Sequence, residues 1–376
     1  MTALYDDGSA EPRTHALVVG VGEYDYIDDP RVAGLNLTAK LSSPPESALA
    51  FATFLRDELT NSEAPLGSLD LLVSPTRRFR PPGSARAKRI GRPTMDELRP
   101  AFRQWVDRCN RNEDNVAMFY FCGHGLMRGH LGLLVADFGD PDSQPFANAI
   151  NFDDSRVAMA TSCRAKIQCF FADACRQVSL ESLRVGNELG EVIPDWLADQ
   201  NLAVDSFGLY ATLPTDPAYG QVAGVAAFTQ AILASFRGMG CRPRRGAWWV
   251  STSHLAEGVE AAMSYAQAHE GAPRQTSQPE GGRRESLIHC TDSPGDIPVT
   301  IMLVPGHETD GVELSIFEAG AGQPVAHRLD GAEPWHIRLP VKEYQGRATF
   351  SRRWRPYEAT VNPQPPHPEI AWELEE

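Results

Sequence analysis

The chain has 376 residues, of which 42% are hydrophobic and 22% charged, with a net charge of −14 and a pI near 5.2. That length fits one large unit with a small one, or two medium units, and the composition allows a sizeable core. The acidic balance argues against nucleic acid as the main partner, and no run approaches the ~20 apolar residues of a membrane helix. The start, Met1–Gly8, is acidic and lacks the basic and apolar pattern of a signal peptide. Seven cysteines form neither a disulfide framework nor a CxxC pair, so a reducing cytoplasm is the expected compartment.

Residues 1–13 read as a polar tail. Ala16–Gly20 is a buried strand, and residues 25–45, rich in Asp, Pro and Ser, form a long loop. Leu49, Phe51, Phe54, Leu55 and Leu59 recur at helical spacing over Ser47–Leu59. Leu69–Ser74 is a second strand. The stretch 75–93, with Arg77, Arg78, Arg80, Arg86, Lys88, Arg89 and Arg92 among Pro and Gly, reads as a solvated loop. Thr94-Met95-Asp96-Glu97 has the form of a capping box for a helix carrying Leu98, Phe102, Trp105 and Val106 on one face.

Next come two strands of the fully buried kind, Asn115–Phe121 and Lys166–Ala172. Between them lie a hairpin element at Leu131–Val135 and a helix starting at Asp153. Residues 177–204 are a long insertion. Phe207–Thr212 is a strand, Ala226–Phe236 a helix stopped by Gly238 and Gly240, and Ser253 caps a further helix to Ala268. Residues 271–284 read as a linker. Beyond it, Val299–Val304, Val312–Phe317, Trp335–Leu339 and Ala348–Phe350 are β-rich and separated by Gly, Asp and Pro, and the Pro- and Glu-rich end is expected to be mobile. The alternation of strands and helices predicts an α/β unit over 14–280, with a mostly parallel sheet covered by helices on both faces. A small all-β sandwich-like domain follows over 285–376.

The two buried strands run into Cys122-Gly123-His124-Gly125 and Asp173-Ala174-Cys175-Arg176. Chemistry in open α/β sheets collects at the carboxyl ends of parallel strands. A thiol is a good nucleophile as thiolate and needs a base, so Cys175 is the candidate nucleophile and His124 the candidate base and acid. The other cysteines read as small buried hydrophobes. Cys122, His124 and His130 lack a fourth ligand, so no zinc is expected.

In these motifs the chain resembles the caspase-like cysteine peptidases, the clan of caspases, metacaspases and bacterial orthocaspases, from about His15 to Glu280. His15–Tyr24 is similar to the family's first strand and turn, Ser47–Leu55 to its first helix, Phe119–Gly125 to the histidine motif and Phe171–Arg176 to the cysteine motif. Phe207–Tyr219 and Ala227–Leu233 are similar to the late strand and its helix. The resemblance implies a caspase-like fold and a cysteine endopeptidase acting on protein or peptide substrates. It implies an oxyanion hole from the N–H groups of Gly125 and Cys175, and a pocket in which Asp173 faces the residue before the scissile bond, giving cleavage after Arg or Lys. The family's pocket aspartate on the first helix is replaced here by Ser47, with Glu46 beside it as a possible substitute. Asp216 and Tyr219 fall where the family builds a substrate loop. Arg176 reads as a surface or salt-bridged arginine.

Self-cleavage after Arg184 in the insertion follows from the Asp173 argument. Calcium activates some metacaspases, and Asp137, Asp140 and Asp142 form an acidic loop, though an exposed turn without any cofactor is the simpler reading. By analogy the setting is bacterial cell death or defence, and the C-terminal domain is expected to recognise a regulatory partner, to dock onto the peptidase domain or to stabilise it. The alternatives are a caspase-like scaffold that binds a protein partner without cleaving it, and a non-peptidase cysteine hydrolase.

Overall fold

Eight consecutive residues from Thr14 to Val21 are buried, because this strand carries apolar side chains to both faces of a sheet. The computed structural model describes residues 3–144, 146–176, 189–190, 204–213, 224–282, 285–304, 311–329, 333–351 and 354–374. The strands of the central sheet are β1 (Tyr5–Asp6), β2 (Thr14–Val21), β3 (Leu66–Ser74), β4 (Val116–Gly123), β5 (Ile167–Ala174), β6 (Asp205–Tyr210) and β7 (Gln278–Gly281). Their order is β1-β3-β2-β4-β5-β6-β7. The inner five are parallel, and the two short edges, β1 and β7, are antiparallel to their neighbours. The expected caspase-like, mostly parallel sheet is therefore present.

Helices cover both faces. On one side α1 (Ser43–Asp57), α4 (Ala227–Ala234) and α5 (Thr252–His269) bury Phe51, Phe54, Phe228, Ile232 and Val259 against Met118, Tyr120 and Phe171. On the other, α2 (Met95–Cys109) and α3 (Phe152–Ser162) bury Phe102, Trp105 and Met159 against Phe119, Phe121 and Phe170. Side chains alternate between these cores along each strand, so Cys122 shares the α1/α4 face with Tyr120, and Ala174 shares the opposite face with Phe170.

Local details depart from the sequence reading. α1 begins at Ser43 rather than Ser47, because Pro44 and Pro45 sit in the first turn, where their fixed φ suits a helix. The Thr94 capping box does not form. The Met95 N–H instead donates to Asp137 at 3.0 and 3.2 Å, a charged carboxylate outcompeting a hydroxyl at the helix dipole. Ser251, not Ser253, caps α5, accepting from the His254 N–H. The basic loop contains a short hairpin, Arg78–Phe79 against Lys88–Arg89. Part of the expected linker is β7. Leu287–Thr291 pairs with Ala247–Ser251, so the chain leaves the first unit later than residue 285.

The C-terminal strands are β8 (Ile297–Val304), β9 (Val312–Glu318), β10 (Ala326–Leu329), β11 (Trp335–Leu339), β12 (Tyr344–Phe350), β13 (Tyr357–Val361) and β14 (Glu369–Glu373). They form two sheets, β11-β8-β14 and β10-β9-β12-β13, around a core of Val299, Ile301, Leu314, Ile316, Tyr344 and Trp372. Within the Pro- and Glu-rich stretch, Glu369–Glu373 is thus a strand. Trp372 is fully buried and anchors β14 parallel to β8.

This sandwich meets α5 through aromatic and ionic contacts. The His269 and His336 rings lie 3.7 Å apart, and Tyr265 packs against His367 at 5.0 Å. The Thr300 hydroxyl bonds both His336 Nδ1 and His367 Nε2, at 3.0 and 2.9 Å, and Arg338 faces Glu270. Burial pushes both imidazoles below the ordinary histidine value. His269 and Arg328 add to this at His336 and Glu369 opposes it; at His367, Glu369 opposes it while His269 and His336 add to it. A histidine kept neutral on folding contributes full stability above its ordinary value of 6.5 and loses it as the pH falls below that value. Hydrogen-exchange protection of β11, corrected for intrinsic rates, is therefore expected to drop between about pH 7.5 and pH 5, and His336→Phe to reduce the drop.

Candidate active site

β4 and β5 are neighbours in register, pairing Phe121 with Ala172, Cys122 with Asp173 and Gly123 with Ala174. The next residue of each chain is His124 on one side and Cys175 on the other, at the carboxyl edge, with strands about 4.8 Å apart. A side chain at 125 has no room, since a Cβ on Gly125 would lie 2.5 Å from the Cys175 carbonyl oxygen and 3.0 Å from the Ala174 Cβ. Gly125 then opens the hairpin Gly125–Arg128 against His130–Leu134.

His124 is held at its ring and at its main chain. Its Nε2 lies 2.8 Å from the Thr38 carbonyl oxygen. A carbonyl only accepts, so Nε2 carries the proton and Nδ1 keeps its lone pair. The His124 backbone N–H donates to the Tyr24 hydroxyl at 2.7 Å, and the two rings pack with centroids 4.9 Å apart. Burial lowers the His124 pKa below the usual value, and the Thr38 bond opposes this. The ring is therefore a neutral base at neutral pH.

Cys175 is half-buried, and all seven cysteines are thiols. Its neighbour Arg176 turns inward, as a salt-bridged arginine should. It lies over the Tyr210 ring at 4.3 Å, donates to Gln278 Oε1 at 2.6 Å and faces Glu280 on β7.

Asp173 is buried and accepts from the Thr229 hydroxyl at 2.6 Å, and Thr229 in turn bonds the Tyr120 hydroxyl at 2.6 Å. Burial raises its pKa to about 6, against the Thr229 and Cys122 hydrogen bonds. Among the described residues it forms no ion pair. Ser47 lies in the same cluster, accepting from the Ala226 N–H at 2.8 Å and bonded to Cys122. Glu46 does not join it. Its carboxylate points outward, 3.9 Å from Arg77, into a crevice of about 590 Å³ that Gly22, Pro45 and Val225 also line. One residue step along the helix separates the directions of these two adjacent side chains by about 100°.

Asp216, Tyr219 and Arg184 lie outside the described residues. Leu189 and Gly190, within the long insertion, dock on the Ala149–Asn151 strand, with the Asn151 N–H donating to the Gly190 carbonyl at 3.0 Å. Asp137 caps α2 instead of meeting Asp140 and Asp142, and His130 pairs with Asp154 rather than with Cys122 or His124. Among the described residues, no three such ligands converge on a metal position. The residue missed from the sequence is Tyr24. A tyrosine one turn beyond a buried strand carries no local signal of the contact it makes 100 residues later.

A family model described as "Caspase domain" matches residues 13–281, the span from the start of β2 to the end of β7. An uncharacterized protein of Sinorhizobium fredii, y4kE, is 28% identical over 274 residues, which cover 72% of this chain and 75% of that protein. Among solved structures, caspase-1 from Spodoptera frugiperda is similar with a TM-score of 0.44 and 12% identity, over 76% of this chain and 95% of that one.

The thiols differ in access. Cys109, Cys122, Cys163, Cys169 and Cys241 are buried, whereas Cys175 and Cys290 are half-buried. Brief alkylation of the native protein with iodoacetamide, read by peptide mass mapping, is expected to modify Cys175 and Cys290 and to spare the other five.

Proposed function

The chain belongs to the caspase-domain family of cysteine peptidases, and from that premise we propose that it is an endopeptidase using Cys175 and His124 and cleaving after Arg or Lys. The observation that carries this reading is the shared register of β4 and β5, which ends one residue before each of these two. In the proposed reaction His124 Nδ1 takes the thiol proton as sulfur attacks the scissile carbonyl carbon. The N–H groups of Gly125 and Cys175 hold the oxyanion. The C–N bond breaks as His124 returns the proton to the leaving amine, leaving a thioester. Water then attacks this thioester, giving its proton to His124, and the acid leaves as the thiol reforms.

The preference for a basic residue rests on Asp173. A buried carboxylate without a cation is costly, and a bound Arg or Lys would neutralise it. Ser47 and Thr229 would complete the pocket as neutral hydrogen-bonding groups. Asp216 and Tyr219 belong to the proposed substrate loop, Arg184 is the proposed self-cleavage site, and the C-terminal sandwich is a proposed seat for a regulatory protein. A cytoplasmic role in bacterial cell death or defence, and activation by calcium, are proposals by analogy with the family.

A panel of fluorogenic peptides with Arg, Lys, Asp or Leu before the scissile bond tests the reading. Turnover is expected with Arg and Lys only, and to vanish in Cys175→Ala. No turnover with any peptide, and no labelling of Cys175 by a thiol-reactive peptide, would favour the non-cleaving scaffold instead. Asp173→Asn is expected to raise KM for Arg peptides by ~30-fold or more, the scale of losing one buried charge pair. In the wild type, the same KM is expected to rise as the pH falls through about 6, where Asp173 takes up its proton and stops attracting a cation. Mass analysis should find a chain cut after Arg184 in wild type and an intact one in Cys175→Ala; an intact wild-type chain during turnover would remove the self-processing proposal.

A further inference from the structure

Three regions outside the two site side chains carry organised chemistry: the imidazoles at the α5–sandwich seam, the arginine-rich hairpin, and Tyr24. Tyr24 carries an inference furthest, because several independent contacts on it converge on one group. Its side chain is 5% exposed, so the hydroxyl is fixed by protein rather than by water. The hydroxyl accepts the His124 backbone N–H at 2.7 Å, and the ring packs along the imidazole. Its own N–H donates to the Ala39 carbonyl at 3.1 Å, next to Thr38, whose carbonyl takes His124 Nε2. Glu23 and Lys40 form a bridge beside it. One residue therefore ties down the main chain under the imidazole and also the segment that orients its far nitrogen. Gly123 makes the approach possible, since a Cβ there would sit 2.9 Å from the Tyr24 oxygen.

We propose that Tyr24 is a positioning residue for His124, its hydroxyl and backbone together holding the imidazole toward the Cys175 sulfur. The proposal rests on the Cys175/His124 reading and adds a residue to it. A phenol suits the task because it accepts a hydrogen bond from a buried N–H at the reach of a ring, and burial keeps it un-ionised. Without the oxygen the His124 N–H loses its partner, a loss relieved by movement of the turn. Displacements near 1 Å at a reacting group cost on the order of 10²-fold in rate.

The test is the rate of Cys175 alkylation by iodoacetamide across pH, with Cys290 in the same sample as the internal reference. His124→Ala sets the rate for a thiol without its base. Tyr24→Phe is expected to slow Cys175 at about pH 6 by ~3–10-fold toward that value, because each unit of thiol pKa is tenfold in thiolate. Cys290 should be unaffected. Peptide turnover should lose kcat by ~10-fold or more with KM little changed. Gly123→Ala, which pushes the hydroxyl away without removing it, should act in the same direction and serves if labelling of the five buried cysteines shows that Tyr24→Phe does not fold. If His124→Ala differs from wild type while the folded Tyr24 and Gly123 variants match wild type, the Tyr24 role is overturned and the dyad stands. If His124→Ala itself matches wild type, the dyad reading falls and takes the Tyr24 role with it.

Discussion

Two adjacent parallel strands with a common register, buried on both faces, are the constraint on which this molecule depends. β4 and β5 exchange hydrogen bonds from Val116 with Ile167 to Gly123 with Ala174. A slip of one residue would turn every side chain to the opposite core, so register is fixed by Met118, Tyr120 and Phe171 on one side and Phe119, Phe121 and Phe170 on the other. That rigidity passes directly to the residues just past the strand ends, where His124 and Cys175 follow. Bulky aromatic rings, several in edge or tilted contact, fill the layers above and below and leave little freedom for the ends to shear.

Around those ends the protein uses backbone groups and neutral side chains more than charges. A carbonyl orients the imidazole, a phenol holds its main chain, and a threonine hydroxyl and a thiol accompany the buried Asp173 carboxylate. Burial holds the imidazole neutral, and among the described residues Asp173 meets no cation. Charges lie one layer out. Arg156, Glu280 and Tyr210 link Arg176 to β7, and through Asp153 to the hairpin that follows His124, since Tyr210 donates to Asp153 and Asp153 accepts the Leu131 N–H. The edge strand is thereby part of the support of Arg176 and of that hairpin. The sandwich is joined through α5 by the tilted contact of the His269 and His336 rings, where burial holds His336 below the ordinary histidine value.

Much of this was legible in the amino-acid order. The two buried strands, the residues that end them and the α/β alternation follow from apolar runs and turn residues, which are local signals. Boundaries drifted where a distant group intervened: Asp137 replaced the Thr94 cap, and Trp372 ordered an end that composition alone describes as mobile. β7 was hidden in a Gly/Pro stretch because an edge strand needs only one partner and four residues.

By itself the sequence determined which chemical groups stand at the strand ends, because periodicity and punctuation are written residue by residue. Only the tertiary structure decided how those groups are held. That Nε2 faces Thr38, that Tyr24 carries the His124 main chain, that Ser47 rather than Glu46 shares the Asp173 cluster, and that Arg176 turns in to β7 are contacts across tens to hundreds of residues. Their partners are chosen by strand order and helix rotation, and those are set by burial of the whole sheet rather than by any neighbourhood along the chain.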